Sequence, residues 1–165
     1  MEFIFNATKC GDIMSISNVF QNRITELVED CEVKKSELPN LIGVDYRSLS
    51  NALNYGIIPT PRILIRIADY FNVSIKYLLG TSNDEYFSKS KVKSDFKTRF
   101  DFLCKENNIT FYKVSKDLHF DQSYITRWFN KNYLPSLELL DLISDYFEVS
   151  VDYLLGRTDD ETPYK

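Results

Sequence analysis

An all-α fold, made of two tandem modules of five short helices each, is what this sequence predicts, and three observations carry the prediction. The stretch Asp145 to Gly156 (DYFEVSVDYLLG) repeats Asp69 to Gly80 (DYFNVSIKYLLG) at an offset of 76 residues. The same offset carries Phe20 onto Phe96, Arg23 onto Arg99, Asp45 onto Asp121 and Pro59 onto Pro135 without a gap. Seventeen residues of 20–80 recur unchanged in 96–156, the mark of a duplicated unit. Second, apolar residues fall at helical spacing throughout both copies. Third, Ser, Thr and Asp stand where helices would start, and Gly and Pro where they would stop.

The elements follow in order. An N-terminal arm, residues 1–19, has no counterpart ahead of the second copy and fits a tag-like tail, a docking arm or a dimer contact. Phe20, Ile24, Leu27 and Val28 make the inner face of a first helix, matched by Phe96, Phe100, Leu103 and Cys104. A short second helix runs from Lys34 through Leu38 to Ile42, and in the second copy from a Thr110 cap through Val114 and Leu118. Its end at Gly43 or His119 calls for a left-handed residue, which Gly adopts freely and His tolerates. Asp45 and Asp121 then cap a third helix, over residues 46–54 and 122–130. Thr60 and Ser136, after Pro59 and Pro135, open a fourth helix, and Ser74 and Ser150 a short fifth that closes on Leu-Gly. On the fourth helix a second apolar stripe, Leu139, Leu142 and Tyr146, lies beside the core one. Between the modules, 81–95 reads as a flexible linker, and 157–165 as an acidic tail.

Composition narrows the function. The chain of 165 residues has a net charge of −4, and the two modules carry seven cations against seven carboxylates and seven against nine, so long-range attraction to a polyanion is weak. No apolar run approaches the length of a membrane span, and residues 1–14 do not read as a secretory signal. Three cysteines without a CxxC pair fit a reducing cytoplasm, with Cys104 a small buried hydrophobe. One histidine, five glycines and no nucleophile set beside a base leave no basis for an enzyme, a metal or a cofactor.

Two short helices around a tight corner, KKSELPNLIGVDYRSLSNALN at 34–54 and TFYKVSKDLHFDQSYITRWFN at 110–130, form a helix-turn-helix pattern. With the following Pro-capped helix and the VSVDYLLG ending, each copy resembles the Cro/phage-repressor-type (XRE-like), lambda-repressor-like helix-turn-helix domain. The resemblance covers some three-quarters of the chain. It implies double-stranded DNA as partner, with the second helix across the backbone and the third in the major groove. Carried over by position, the DNA-reading residues are Tyr46, Arg47, Ser50 and Asn51 in the first copy, and Gln122, Ser123, Thr126 and Arg127 in the second. Lys34, Lys35 and Lys131 would add phosphate contacts. Gln and Asn pair with adenine, Arg with guanine, and Ser or Thr with either.

One departure stands out. Phe111 occupies the place where the family often has a phosphate-gripping polar side chain. With Tyr112 and Tyr124 it forms an aromatic set suited to a protein interface. The leading expectation is a repressor-like transcriptional regulator of a phage or mobile element. The alternative is a helix-turn-helix scaffold acting as an inhibitor or antirepressor, for example of a phage or host regulator or a CRISPR nuclease, through an aromatic, acidic surface. A protein partner or homodimer fits either.

Overall fold

The computed structural model describes residues 16–163; residues 1–15, with Cys10 and most of the arm, and residues 164–165 of the tail lie outside the described residues. The described residues form ten helices and no strand beyond an isolated antiparallel bridge between Ile16 and Ile57. No helix among them is long and apolar enough to cross a membrane. The chain divides between Tyr86 and Phe87 into two compact units.

The first unit holds α1 (Asn18–Glu29), α2 (Leu38–Ile42), α3 (Tyr46–Tyr55), α4 (Pro61–Phe71) and α5 (Ile75–Leu79). Phe20, Ile24, Leu38, Leu64, Ile67 and Leu78 are its fully buried centre, with α1 packed on α3 and α5, and α4 on α2 and α5. Local chemistry sets the helix starts. The side chains of Ser17, Asp45 and Ser74 accept the amides of Phe20, Ser48 and Tyr77, each meeting one donor that the helix itself leaves unpaired.

Two boundaries differ from the sequence expectation. The first helix begins at Asn18, so Ser17 to Val19 belong to the unit and not to an arm. The second helix begins only at Leu38, leaving Lys34 and Lys35 ahead of it. Pro39 sits in the first turn of this helix, where the amide it lacks would have had no partner within the helix.

Gly56 is a point of close approach. It sits at φ +63, its carbonyl accepts the Ser17 amide at 2.9 Å, and an added Cβ would lie 2.6 Å from the Ser17 carbonyl oxygen. Gly56→Ala is therefore expected to destabilise the first unit by about 1–3 kcal/mol from backbone strain, with the clash in addition. Urea unfolding followed by circular dichroism measures it.

The second unit holds α6 (Phe96–Glu106), α7 (Phe111–Asp117), α8 (Ser123–Lys131), α9 (Leu137–Tyr146) and α10 (Val151–Leu154). Thr110, Ser136 and Ser150 cap α7, α9 and α10 as the sequence predicts. The corner residues Gly43 and His119 are both left-handed, at φ 76 and φ 56. Asp121 departs from its expected role. Gln122 holds the cap position in helical conformation, α8 begins at Ser123, and the Asp121 carboxylate accepts the Ser123 amide two residues on, where the other caps accept the amide three residues on.

Phe100 is the hub of the core. Its ring stacks on Phe96 and Phe111, centroids 5.5 and 5.3 Å away, and meets Trp128, Phe129 and Phe147 within 6.5 Å. Phe111 thus packs against the aromatic core, half-buried, rather than standing out as an interface residue. Stacking on Phe100 and Phe129 is tertiary, and helical spacing alone does not disclose it. Cys104 is buried as expected, and burial with the nearby Asp101 charge pushes its thiol up to about 12, out of reach of thiolate chemistry at neutral pH.

The linker and tail expectations also need correction. Phe87 is buried, and the Arg157 guanidinium lies over its ring at 4.5 Å. Arg157 in turn forms a buried ion pair with Asp152. The Ser90 amide donates to the Arg157 carbonyl, while the Ser90 hydroxyl, the Lys91 amide and Arg99 all donate to the Asp159 carboxylate. Residues 87–95 are therefore fastened to the second unit by 157–159 and do not form a free coil.

The Ser90 hydroxyl, the Lys91 amide and Arg99 hold the Asp159 carboxyl below the usual carboxylate range. A lowered folded value contributes stability above the unfolded value, and the contribution disappears as the pH falls through the folded one. Slow exchange of the Lys91 amide is expected near neutral pH. Its protection, taken relative to the intrinsic exchange rate at each pH, should fall as the pH drops through the lowered Asp159 value, and amide exchange by NMR checks it.

Candidate nucleic-acid interface

In each unit the third helix has one face in the core and the other in solvent. Leu49 and Ala52 pin α3, while Ile125 and Trp128 pin α8. At 100° per residue, positions 46, 47 and 50 and positions 122, 123, 126 and 127 then point away from the core. Tyr46, 70% exposed, and Arg47 are the most open of the first set. Ser50 and Asn51 are half-buried, and the Ser50 hydroxyl accepts the Asn54 side-chain amide at 3.0 Å. Gln122, Ser123, Thr126, Arg127 and Lys131 are all exposed. The Arg127 guanidinium lies 5.6 Å from the centre of the Tyr124 ring, so a cation and an aromatic share one patch.

Of the aromatic set, Tyr112 and Tyr124 are exposed and Phe111 is not. Lys116 sits over Tyr112 at 5.4 Å. Lys113 pairs with Asp117 at 2.6 Å, and Asp117 also accepts the Tyr146 hydroxyl at 2.7 Å. Tyr146 thus belongs to the packing of α9 on α7. Leu142 of the same stripe stays exposed.

The charge around the two helix-turn-helix elements is unequal. Residues 34–66 contain Lys34, Lys35, Arg47, Arg62 and Arg66 against Glu37 and Asp45. Residues 110–142 contain four cations, Lys113, Lys116, Arg127 and Lys131, against four carboxylates, Asp117, Asp121, Glu138 and Asp141. Bonds from the Ser48 hydroxyl and amide hold Asp45 below the usual carboxylate range, and those from Ser123 do the same for Asp121.

Arg66 also stands beside this face, and the sequence reading did not name it. It donates to the Gly43 carbonyl, which fixes a guanidinium at the corner between α2 and α3. Its place in the second copy is taken by Leu142, so comparison of the copies gave no signal for it.

A search of curated proteins and of solved structures finds no match to this chain. A protein-family model described as helix-turn-helix matches residues 103–154, from the end of α6 through α10. The matched region holds α7, the His119 corner and α8, the two short helices and tight corner of the sequence pattern at 110–130.

Proposed function

We propose that the chain is a sequence-specific regulator that binds double-stranded DNA, repressor-like, with α3 and α8 as the reading helices of two duplicated modules. The observation that carries this reading is the pair of third helices, each pinned by a buried face and each presenting hydrogen-bonding side chains outward behind a left-handed corner. The helix-turn-helix match over 103–154 supports it for the second unit, and the recurrence at 76 residues extends it to the first. Tyr46, Arg47, Ser50 and Asn51 differ in chemistry from Gln122, Ser123, Thr126 and Arg127, so the preferred half-sites differ too. Residues 34–66 of the first unit, with five cations against two carboxylates and with Arg66 at the corner, provide the larger share of phosphate attraction, although the module 20–80 as a whole is balanced.

Selection from a random duplex pool, followed by gel shift at near-physiological salt, tests the proposal. Arg47→Glu and Arg127→Glu are each expected to weaken the selected duplex at least about tenfold, given about 1–3 kcal/mol for one good base contact. Selection that enriches no sequence would count against it.

A second reading, binding of a protein as an inhibitor or antirepressor, draws on the exposed Tyr112 and Tyr124 beside Lys116 and Arg127. Charge reversal separates the two, because a protein complex centred on Tyr112 would survive Arg47→Glu while a DNA complex would not.

A further inference from the structure

Beside α8 the second unit has an open cleft of about 470 Å³, running between the end of that helix, residues 133–136 and the first turn of α9. This volume is in the range of sites that seat a side chain or small ligand. Its lining is mixed: Leu139 and the ring of Tyr133, 59% exposed, offer apolar surface, Trp128 lies behind them only 3% exposed, and Ser136 adds a polar group. Arg127 and Lys131 supply two positive charges, and no carboxylate lines it, although the chain as a whole carries −4.

In the first unit the equivalent of the rim residue Tyr133 takes a stretch of extended chain beside it. Ile57 stands 76 residues before Tyr133 and is bridged antiparallel by Ile16, with the Ser17 amide on the Gly56 carbonyl. Two extended residues of the chain itself thus lie along that edge. Gly56 permits the approach, since a Cβ there would be 2.6 Å from the Ser17 carbonyl oxygen. The second unit has Asn132 at that place, and Tyr133 makes no such bridge.

From this geometry we infer that the cleft is a docking site for an extended acidic segment of a partner protein. An apolar or aromatic side chain of the segment rests on Tyr133 and Leu139, and its flanking carboxylates meet Arg127 and Lys131. Charge complementarity favours this occupant over a basic or neutral one. Arg127 and Lys131 are both shared with the proposed DNA-binding residues, whereas Tyr133 and Leu139 are not among them. An acidic segment in the cleft would accordingly compete with DNA for the second unit.

Trp128 is the sole tryptophan of the chain and lines the cleft, so its emission reports occupancy directly. The probe is a set of synthetic peptides, each with one Leu, Phe or Tyr flanked by Asp and Glu, with Lys-substituted counterparts as controls. The full chain is titrated with these and, in parallel, with the selected DNA duplex. Acidic peptides are expected to give a saturable change that added salt weakens and that Arg127→Glu and Tyr133→Glu each shift at least about tenfold. Tyr133→Glu, at an exposed position, should leave duplex binding within about twofold. Peptide binding without any duplex binding would support the cleft and count against the DNA reading. The inference is overturned if no acidic peptide gives a saturable response, if the Lys counterparts bind equally, or if Tyr133→Glu weakens duplex and peptide alike, which would assign the cleft to the DNA face.

Discussion

Phe100→Ala is expected to remove about 3–5 kcal/mol from the second unit, the usual cost of truncating a buried phenylalanine. A unit of this size has roughly 4–12 kcal/mol in total, so the loss takes a large part of it. The position is expensive because the ring is fully buried and touches the rings of α6, α7, α8 and the end of α9 at once. Removing it leaves a cavity that none of those helices can close alone. Trp128, 6.0 Å from Phe100, makes the transition visible by fluorescence in urea. Phe100→Leu, which keeps most of the volume, should cost less than about 1.5 kcal/mol, so the pair separates cavity formation from general intolerance. Equal loss in both variants would contradict the hub assignment.

Arg157→Met comes second, with an expected cost of about 3–5 kcal/mol for leaving a buried carboxylate without its counter-charge. Asp152 is 0% exposed and Arg157 6%, and the same guanidinium covers the Phe87 ring. Replacing both partners, Asp152→Leu with Arg157→Met, should be milder than the single change, because no orphaned charge remains. If the double variant is the worse of the two in urea unfolding, the ion pair is not what the single change disrupts. The first unit has Lys76 and Thr81 at these places, with the Thr81 amide and hydroxyl on the Lys76 carbonyl, so its closing turn is held without a buried charge.

That contrast shows where the sequence was legible. Caps such as Asp45, Ser74, Ser136 and Ser150, and the left-handed corners at Gly43 and His119, depend on residues within a few positions of one another, and the structure has them as read. The inner stripe of α6 follows from helical spacing in the same way. The docking of 87–95 was not legible, because it depends on Arg157 and Asp159 nearly seventy residues away and on no repeat partner. Phe111 misled for a related reason. It was read as part of an exposed aromatic set, and the stacking on Phe100 and Phe129 that leaves it half-buried is tertiary. At the candidate site, exposure of Arg47, Gln122, Thr126 and Arg127 agrees with the pattern, but exposure is common to any amphipathic helix and identifies no ligand. The cleft beside α8 was hidden as well, since Tyr133 and Leu139 come together with Arg127 only through the turn before α9.

Hydroxyl-radical footprinting of the chain on its selected duplex bears most directly on the proposal that α3 and α8 both read DNA. Two protected tracts of different sequence are predicted, about one helical turn, or roughly 34 Å, apart, with Arg47→Glu erasing one and Arg127→Glu the other. A perfect palindrome protected by a single chain, or no protection on any selected duplex, would contradict the account.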